Sequence, residues 1–100
     1  MTPRQLHARY RRIAEEVLFH RCLYYVFGHP ILSDHDYDQL ERELEAFERE
    51  FDVMHPESPS QKPGSSLWND YPVMVRAAVR QNLYKRGLIK EMFPGSEEKS

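Results

Sequence analysis

The sequence is poor in cysteine and glycine, with one and four respectively in 100 residues, and it has no long apolar run. A lone cysteine, Cys22, excludes an internal disulfide and a thiolate metal cluster. As a nucleophile it would need a histidine facing it, and His20 is too near on the same helix to do so, so Cys22 reads as a packed side chain. With so little glycine the chain is not fibrous or low-complexity. No stretch approaches the roughly 20 apolar residues that span a bilayer, and charges at the N-terminus replace a signal-peptide core. The expectation is a cytoplasmic protein without a membrane partner. A strong charge excess is missing as well: at a net −2, direct nucleic-acid binding by the chain alone is not expected, because phosphate contacts need a basic footprint. The length suits one domain with a modest core.

What is present reads as helix. Thr2 and Pro3 supply an N-cap and a first-turn proline, and Leu6, Tyr10, Ile13, Val17 and Tyr24 recur at helical steps to about Phe27, where Gly28 and Pro30 stop the run. Ser33 with Asp36 approximates a capping box, and Tyr37, Leu40, Leu44, Phe47 and Phe51 carry a second amphipathic helix. The short turn between them favours an antiparallel hairpin. Residues 55–66, with Pro56, Pro59, Pro63 and Gly64, cannot continue a helix and should run extended over the surface as a strap. A cap at Asn69 or Asp70 and Pro72 then open a third helix that includes Val75, Ala78 and Leu83 and falters at Gly87. The expected fold is therefore all-α: a helical hairpin, an extended proline-rich strap and a third, C-terminal helix. It divides into a hairpin and strap (1–66), a basic helical extension (67–93) and a flexible polar tail (94–100).

Charge is unevenly spread. Between Ser33 and Asp52 acids outnumber the two arginines, Arg42 and Arg49, whereas Tyr71 to Lys90 holds Arg76, Arg80, Lys85, Arg86 and Lys90 and no acid. Solvated helix faces account for both blocks in the plainest reading. The alternative makes the basic block a docking surface for an acidic partner or a nucleic acid.

The informative segment runs from Tyr24 to Asp38. It sets aromatic residues at the end of one helix against carboxylates and Tyr37 from the first turn of the next, with Asp34, Tyr37 and Asp38 on one side of that turn. Acids in a first turn have a structural use, since they satisfy free N–H groups and complement the helix dipole. That explains Asp34 and Asp36 better than it explains Asp38 beside tyrosines. Aromatic faces with carboxylates suit a flat cation, which stacks on the rings while the acids balance its charge or accept from a ribose. Oxidised nicotinamide is such a cation.

Tyr24-Tyr25, Pro30, Ser33-Asp34, Tyr37-Asp38, Leu40, Glu43-Leu44 and then Glu57-Ser58-Pro59-Ser60-Gln61 before Gly64 together resemble the opening of NAD-dependent DNA ligases, over roughly residues 6–64. The resemblance implies a helical cap that grips the nicotinamide mononucleotide (NMN) half of NAD over an adenylation domain. It implies that Tyr24 and Tyr37 contact or stack on the nicotinamide, that Tyr25 occupies the adjoining position, and that Asp34 and Asp38 hold the amide, ribose or phosphate environment. Their role would be to orient the leaving group rather than to make bonds. Residues 58–61 would lead towards the adenylation domain, and Tyr71-Pro72-Val73-Met74 is similar to a remnant of the family's next stretch. Two departures stand out: Pro63 replaces the usual hydrophobic residue before Gly64, and the Phe47–Ser58 segment is slightly short. The chain also has no Asp-Gly, hence no Lys-x-Asp-Gly nucleophile and no catalytic residue for an enzyme–AMP intermediate.

The leading expectation is an NAD- and NMN-recognition module that serves DNA ligation, in replication or repair, by completing or modulating an adenylation domain on another chain, as in a split ligase of viral or phage type. The alternative is a protein–protein interaction module of the same descent that no longer binds nucleotide. An independent small enzyme acting on NAD is disfavoured because no nucleophile or oxyanion site is visible. Metal binding through His29, Asp34, His35 and Asp38 is disfavoured because histidines near helix caps are usually just solvated.

Overall fold

A computed structural model describes residues 1–90. The tail expected over 94–100 lies outside them, as does the end of the extension at 91–93. Among the described residues the fold is all helical, and none of its helices is long and apolar enough to cross a membrane.

Helix α1 spans Pro3–Arg21. Its start follows the sequence signals: the Thr2 hydroxyl accepts from Gln5 N–H at 3.2 Å and the Gln5 side chain accepts from Thr2 N–H at 2.9 Å, a complete capping box with proline at the first position. The helix does not stop at Arg21 but widens into a π-helical turn over Cys22–Val26, and Gly28, at φ +68°, ends it. The wider turn changes the phase of the side chains. Tyr24 belongs to the apolar stripe by spacing, yet it is 52% exposed, while Cys22 and Leu23 are fully buried. Single π turns recur at functional sites because they redirect a few side chains without breaking the helix.

Helix α2 spans Asp34–Phe51; Ser33 caps it, accepting from Asp36 N–H at 3.1 Å, and Asp52 closes it in the left-handed conformation. It packs along α1 through Tyr10, Val17, Leu40, Leu44 and Phe47, with the Tyr10 and Phe47 rings stacked at 5.8 Å. Helix α3, Val73–Lys85, folds back onto the end of α1, where Cys22, Leu23, Tyr71, Val75, Val79 and Leu83 form a second core. Its N-cap is Pro72 rather than Asn69 or Asp70, because those two sit in a separate 3-10 turn, Trp68–Asp70, and Asp70 is engaged by the Ser65 hydroxyl at 2.5 Å. Burial pushes the Cys22 thiol up to about 12, against a weaker pull from Arg76, so it packs as a protonated apolar group.

The strap does more than cross the surface. A 3-10 turn at Pro59–Gln61 buries Ser58 and Pro59, and the anchor is a carboxylate. Glu48, 4% exposed, accepts from Tyr10 Oη at 2.6 Å, Ser58 Oγ at 2.7 Å and Ser60 Oγ at 2.9 Å. Tyr10 Oη in turn accepts from His55 N–H at 3.1 Å. Burial alone would raise the Glu48 pKa, but the three hydroxyl donors outweigh it and hold the carboxyl below its ordinary value.

A carboxyl with a depressed folded-state pKa contributes stability that is complete above its unfolded pKa and is lost as pH falls through the carboxylate range. The thermal midpoint should therefore fall between about pH 5 and pH 3, and a Glu48→Gln variant should show a shallower fall over that window. Glu48→Ala, which strands the buried hydroxyls of Tyr10 and Ser58 and the half-buried one of Ser60, should cost about 2–4 kcal/mol by chemical denaturation.

Candidate functional site

The turn between α1 and α2 brings the end of one helix against the start of the next, and a cavity of about 420 Å³ opens there, within the size range of small-ligand sites. Tyr24, Tyr25, Asp34, Tyr37 and Asp38, the five residues singled out from sequence, all line it. Pro30 and Leu32 from the connecting turn and His20 and Glu41 from the two helices complete the wall.

The π turn presents Tyr24 and Tyr25 as adjacent exposed residues, their rings meeting edge to face at 4.9 Å. Asp34 and Asp38 stand one helical turn apart on α2 and are exposed. Tyr37 differs from the other two tyrosines: its ring is half-buried, and its oxygen accepts from Arg21 Nε at 2.8 Å and donates to Glu41 Oε2 at 2.9 Å. Burial pushes this phenol up to about 12, the Arg21 contact opposing and Glu41 reinforcing the shift, so it remains a neutral hydroxyl. His20 is half-buried and packs edge-on to Phe19 at 5.0 Å. Burial lowers its pKa, against a smaller upward pull from Glu16, and its Nδ1 has no hydrogen-bond partner among the described residues. His20 thus reaches the cavity wall as a largely neutral imidazole whose Nδ1 is itself buried.

Sequence reasoning missed His20, Glu41 and Arg21. The first two were within reach, since His20 precedes Tyr24 by one turn and Glu41 follows Tyr37 by one turn. Arg21 is 6% exposed; its only signal is a charge inside the apolar stretch that runs from Val17 to Val26.

The basic residues of the C-terminal block lie elsewhere. The guanidinium groups of Arg76 and Arg80 sit over the Trp68 ring at 5.8 and 5.2 Å, and Trp68 meets Phe27 edge-on at 5.4 Å. Arg86 donates to the His29 carbonyl at 3.0 Å and to Asn82 Oδ1 at 2.8 Å. These contacts clasp α3 to the corner that carries the cavity, while Lys85 and Lys90 are exposed.

One strap residue reaches the cavity wall from behind. Gly64 lies against the Tyr25 ring so closely that a Cβ built on it would fall 2.6 Å from Cδ2 and 2.8 Å from Cζ. An alanine there must push the ring aside. Because Tyr25 is 45% exposed the ring has somewhere to go, so Gly64→Ala should cost only about 1 kcal/mol in denaturant titration while visibly moving the Tyr25 ring resonances by NMR. A variant with unmoved Tyr25 resonances would show that the strap does not back this wall.

The family model for the "DNA ligase-like, N-terminal NAD+-binding domain" matches residues 3–64, the hairpin and strap that build the cavity. Among curated relatives, the DNA ligase of Chlorobium chlorochromatii is 35% identical over 89 residues, covering 85% of this chain and 13% of that protein. The DNA ligase of Pseudothermotoga lettingae is 34% identical over 70 residues, covering 69% and 10%, and that of Coprothermobacter proteolyticus is 38% identical over 66 residues, covering 65% and 10%. The chain thus spans about a tenth of the length of the relatives it matches. No solved structure matches it. On the match over its hairpin and strap, the chain belongs to the family of DNA ligase-like, N-terminal NAD+-binding domains.

Proposed function

We propose that this chain recognises the NMN half of NAD and acts in DNA ligation, in replication or repair, together with an adenylation domain that lies outside these 100 residues. The observation that carries the reading is the convergence of Tyr24, Tyr25, Asp34, Tyr37 and Asp38 on one cavity inside the segment that matches an NAD+-binding family.

The donor set fits the group. Exposed phenol rings offer faces to a flat pyridinium, and the carboxylates of Asp34 and Asp38 balance its charge or accept from ribose hydroxyls. Tyr37, kept a neutral hydroxyl by burial and fixed by its bonds to Arg21 and Glu41, supplies a ring whose position is set before a ligand arrives. Bound NAD supplies the adenylyl group and the NMN leaving group. This chain's share is to hold and orient the leaving half, since its 100 residues contain no Lys-x-Asp-Gly nucleophile. Positioning of this kind lowers a barrier without a bond-making residue.

A wall on one side of a ligand yields modest affinity, so NMN should bind the isolated chain with a Kd on the order of 0.1–1 mM. Titration of labelled protein by NMR checks this, with AMP as control. Shifts confined to residues 20–41, absent with AMP and lost in the Tyr24→Ala, Asp38→Ala double variant, are the expected result. Both residues are exposed, so the variant should keep its fold. No shift at millimolar NMN would remove the nucleotide reading and leave the interaction module, and submicromolar binding would overturn the one-walled site.

A further inference from the structure

Arg21 is the least expected residue near the cavity, because its guanidinium does not line the wall and yet binds two residues that do, Tyr37 and Glu41. Nε donates to Tyr37 Oη at 2.8 Å, and Nη2 donates to Glu41 Oε2 at 2.7 Å. The same Nη2 donates to the Pro59 carbonyl at 3.0 Å, and Nη1 donates to the Lys62 carbonyl at 3.0 Å. One side chain therefore binds the two strap carbonyls that bracket the 3-10 turn Pro59–Gln61 and also fixes a phenol and a carboxylate of the nucleotide pocket.

The geometry of the guanidinium makes this a linkage and not a set of separate contacts. Its donors lie in one rigid plane at fixed angles, so a strap that shifts its carbonyls must tilt the plane and disturb the bond to Tyr37. Arg21 is buried and has no solvent to take up the slack, and leaving any of its donors unmatched is costly. Gly64 against Tyr25 gives the strap a second point of contact with the pocket. The same turn is also anchored through its side chains, by Ser58 and Ser60 on Glu48, and neither serine lines the pocket.

Resting on the reading that the pocket holds NMN, we propose that Arg21 is a positioning residue that couples the seating of the strap to the nucleotide pocket. A seated strap sets the Tyr37 ring for the nicotinamide, and by reciprocity an occupied pocket tightens the strap. The strap is thereby a sensor: a segment or partner that pulls on it weakens nucleotide binding, and one that presses it home strengthens binding.

Ser60→Ala tests this, because it loosens the strap at Glu48 without touching the pocket. In the full chain with 13C-labelled tyrosine, Ser60→Ala should move the Tyr37 ring resonance with no ligand present and weaken NMN binding about threefold. In a Tyr37→Phe background, where the ring stays and the oxygen that Arg21 grips is gone, Ser60→Ala should leave the NMN affinity of that background unchanged. Arg21→Lys, which keeps the charge and loses the planar fork, should decouple in the same way, and if it does not fold the Ser60 and Tyr37 variants still complete the cycle. Faster amide exchange at Gln61 and Lys62 with an unmoved Tyr37 resonance and unchanged NMN affinity would overturn the coupling and reduce Arg21 to a structural ion pair. Failure of NMN to bind the parent chain would instead overturn the nucleotide reading, while the ligand-free Tyr37 resonance would still decide whether strap and pocket are linked.

Discussion

The strap is held by charge buried against charge-seeking groups, and the guanidinium of Arg21 is the contact on which the rest of the arrangement depends. A proline-rich segment has few N–H groups to offer and cannot secure itself in a ladder or a helix. Its carbonyls need donors, and Arg21 supplies them at Pro59 and Lys62. A buried arginine in turn needs an acid, supplied by Glu41 at 2.7 Å. Such a cluster adds little net stability compared with apolar packing, but breaking one member leaves an unmatched charge in a dry place. The chain has accepted that cost at the junction of two helices and the strap, which is also the edge of the cavity.

The two small cores explain why that junction is rigid enough to shape a site. The outer face of neither α2 nor α3 needs the other: each packs on α1, one along its length and one at its end. The π turn lies where α1 passes from the first duty to the second. By rotating Cys22 and Leu23 inward it frees Tyr24 and Tyr25 to face the turn, so the site is built from residues that packing has released. A site on helix ends, backed by dry cores, holds its geometry better than one on a free loop.

Much of this was legible in the sequence, and the boundary between what was and what was not is physical. Thr2, Pro3, Gly28 and Ser33 act within a few residues of themselves, through local hydrogen bonds and φ preferences, so their signals survive in a linear reading. The pairing of tyrosines with carboxylates around the turn was legible for the same reason, since the two helices are joined by a short connection. Arg21 and Glu48 were not. In an amphipathic pattern a charge reads as solvent-facing, and both owe their burial to partners well along the chain: 16, 20, 38 and 41 residues away for Arg21, and 10, 12 and 38 for Glu48. The π turn left no signature either, because its extra residue per turn appears only as a drift in phase. The cap of α3 was misplaced since Asp70, a good N-cap by composition, had a hydroxyl partner in Ser65.

The clasp around Trp68 has a practical meaning of its own. The chain has a single tryptophan, and it lies against the Phe27 ring and two guanidinium groups where α3 meets the helix corner. Its light emission depends on those neighbours. The molecule therefore carries a native optical gauge of whether α3 is docked, readable without a label.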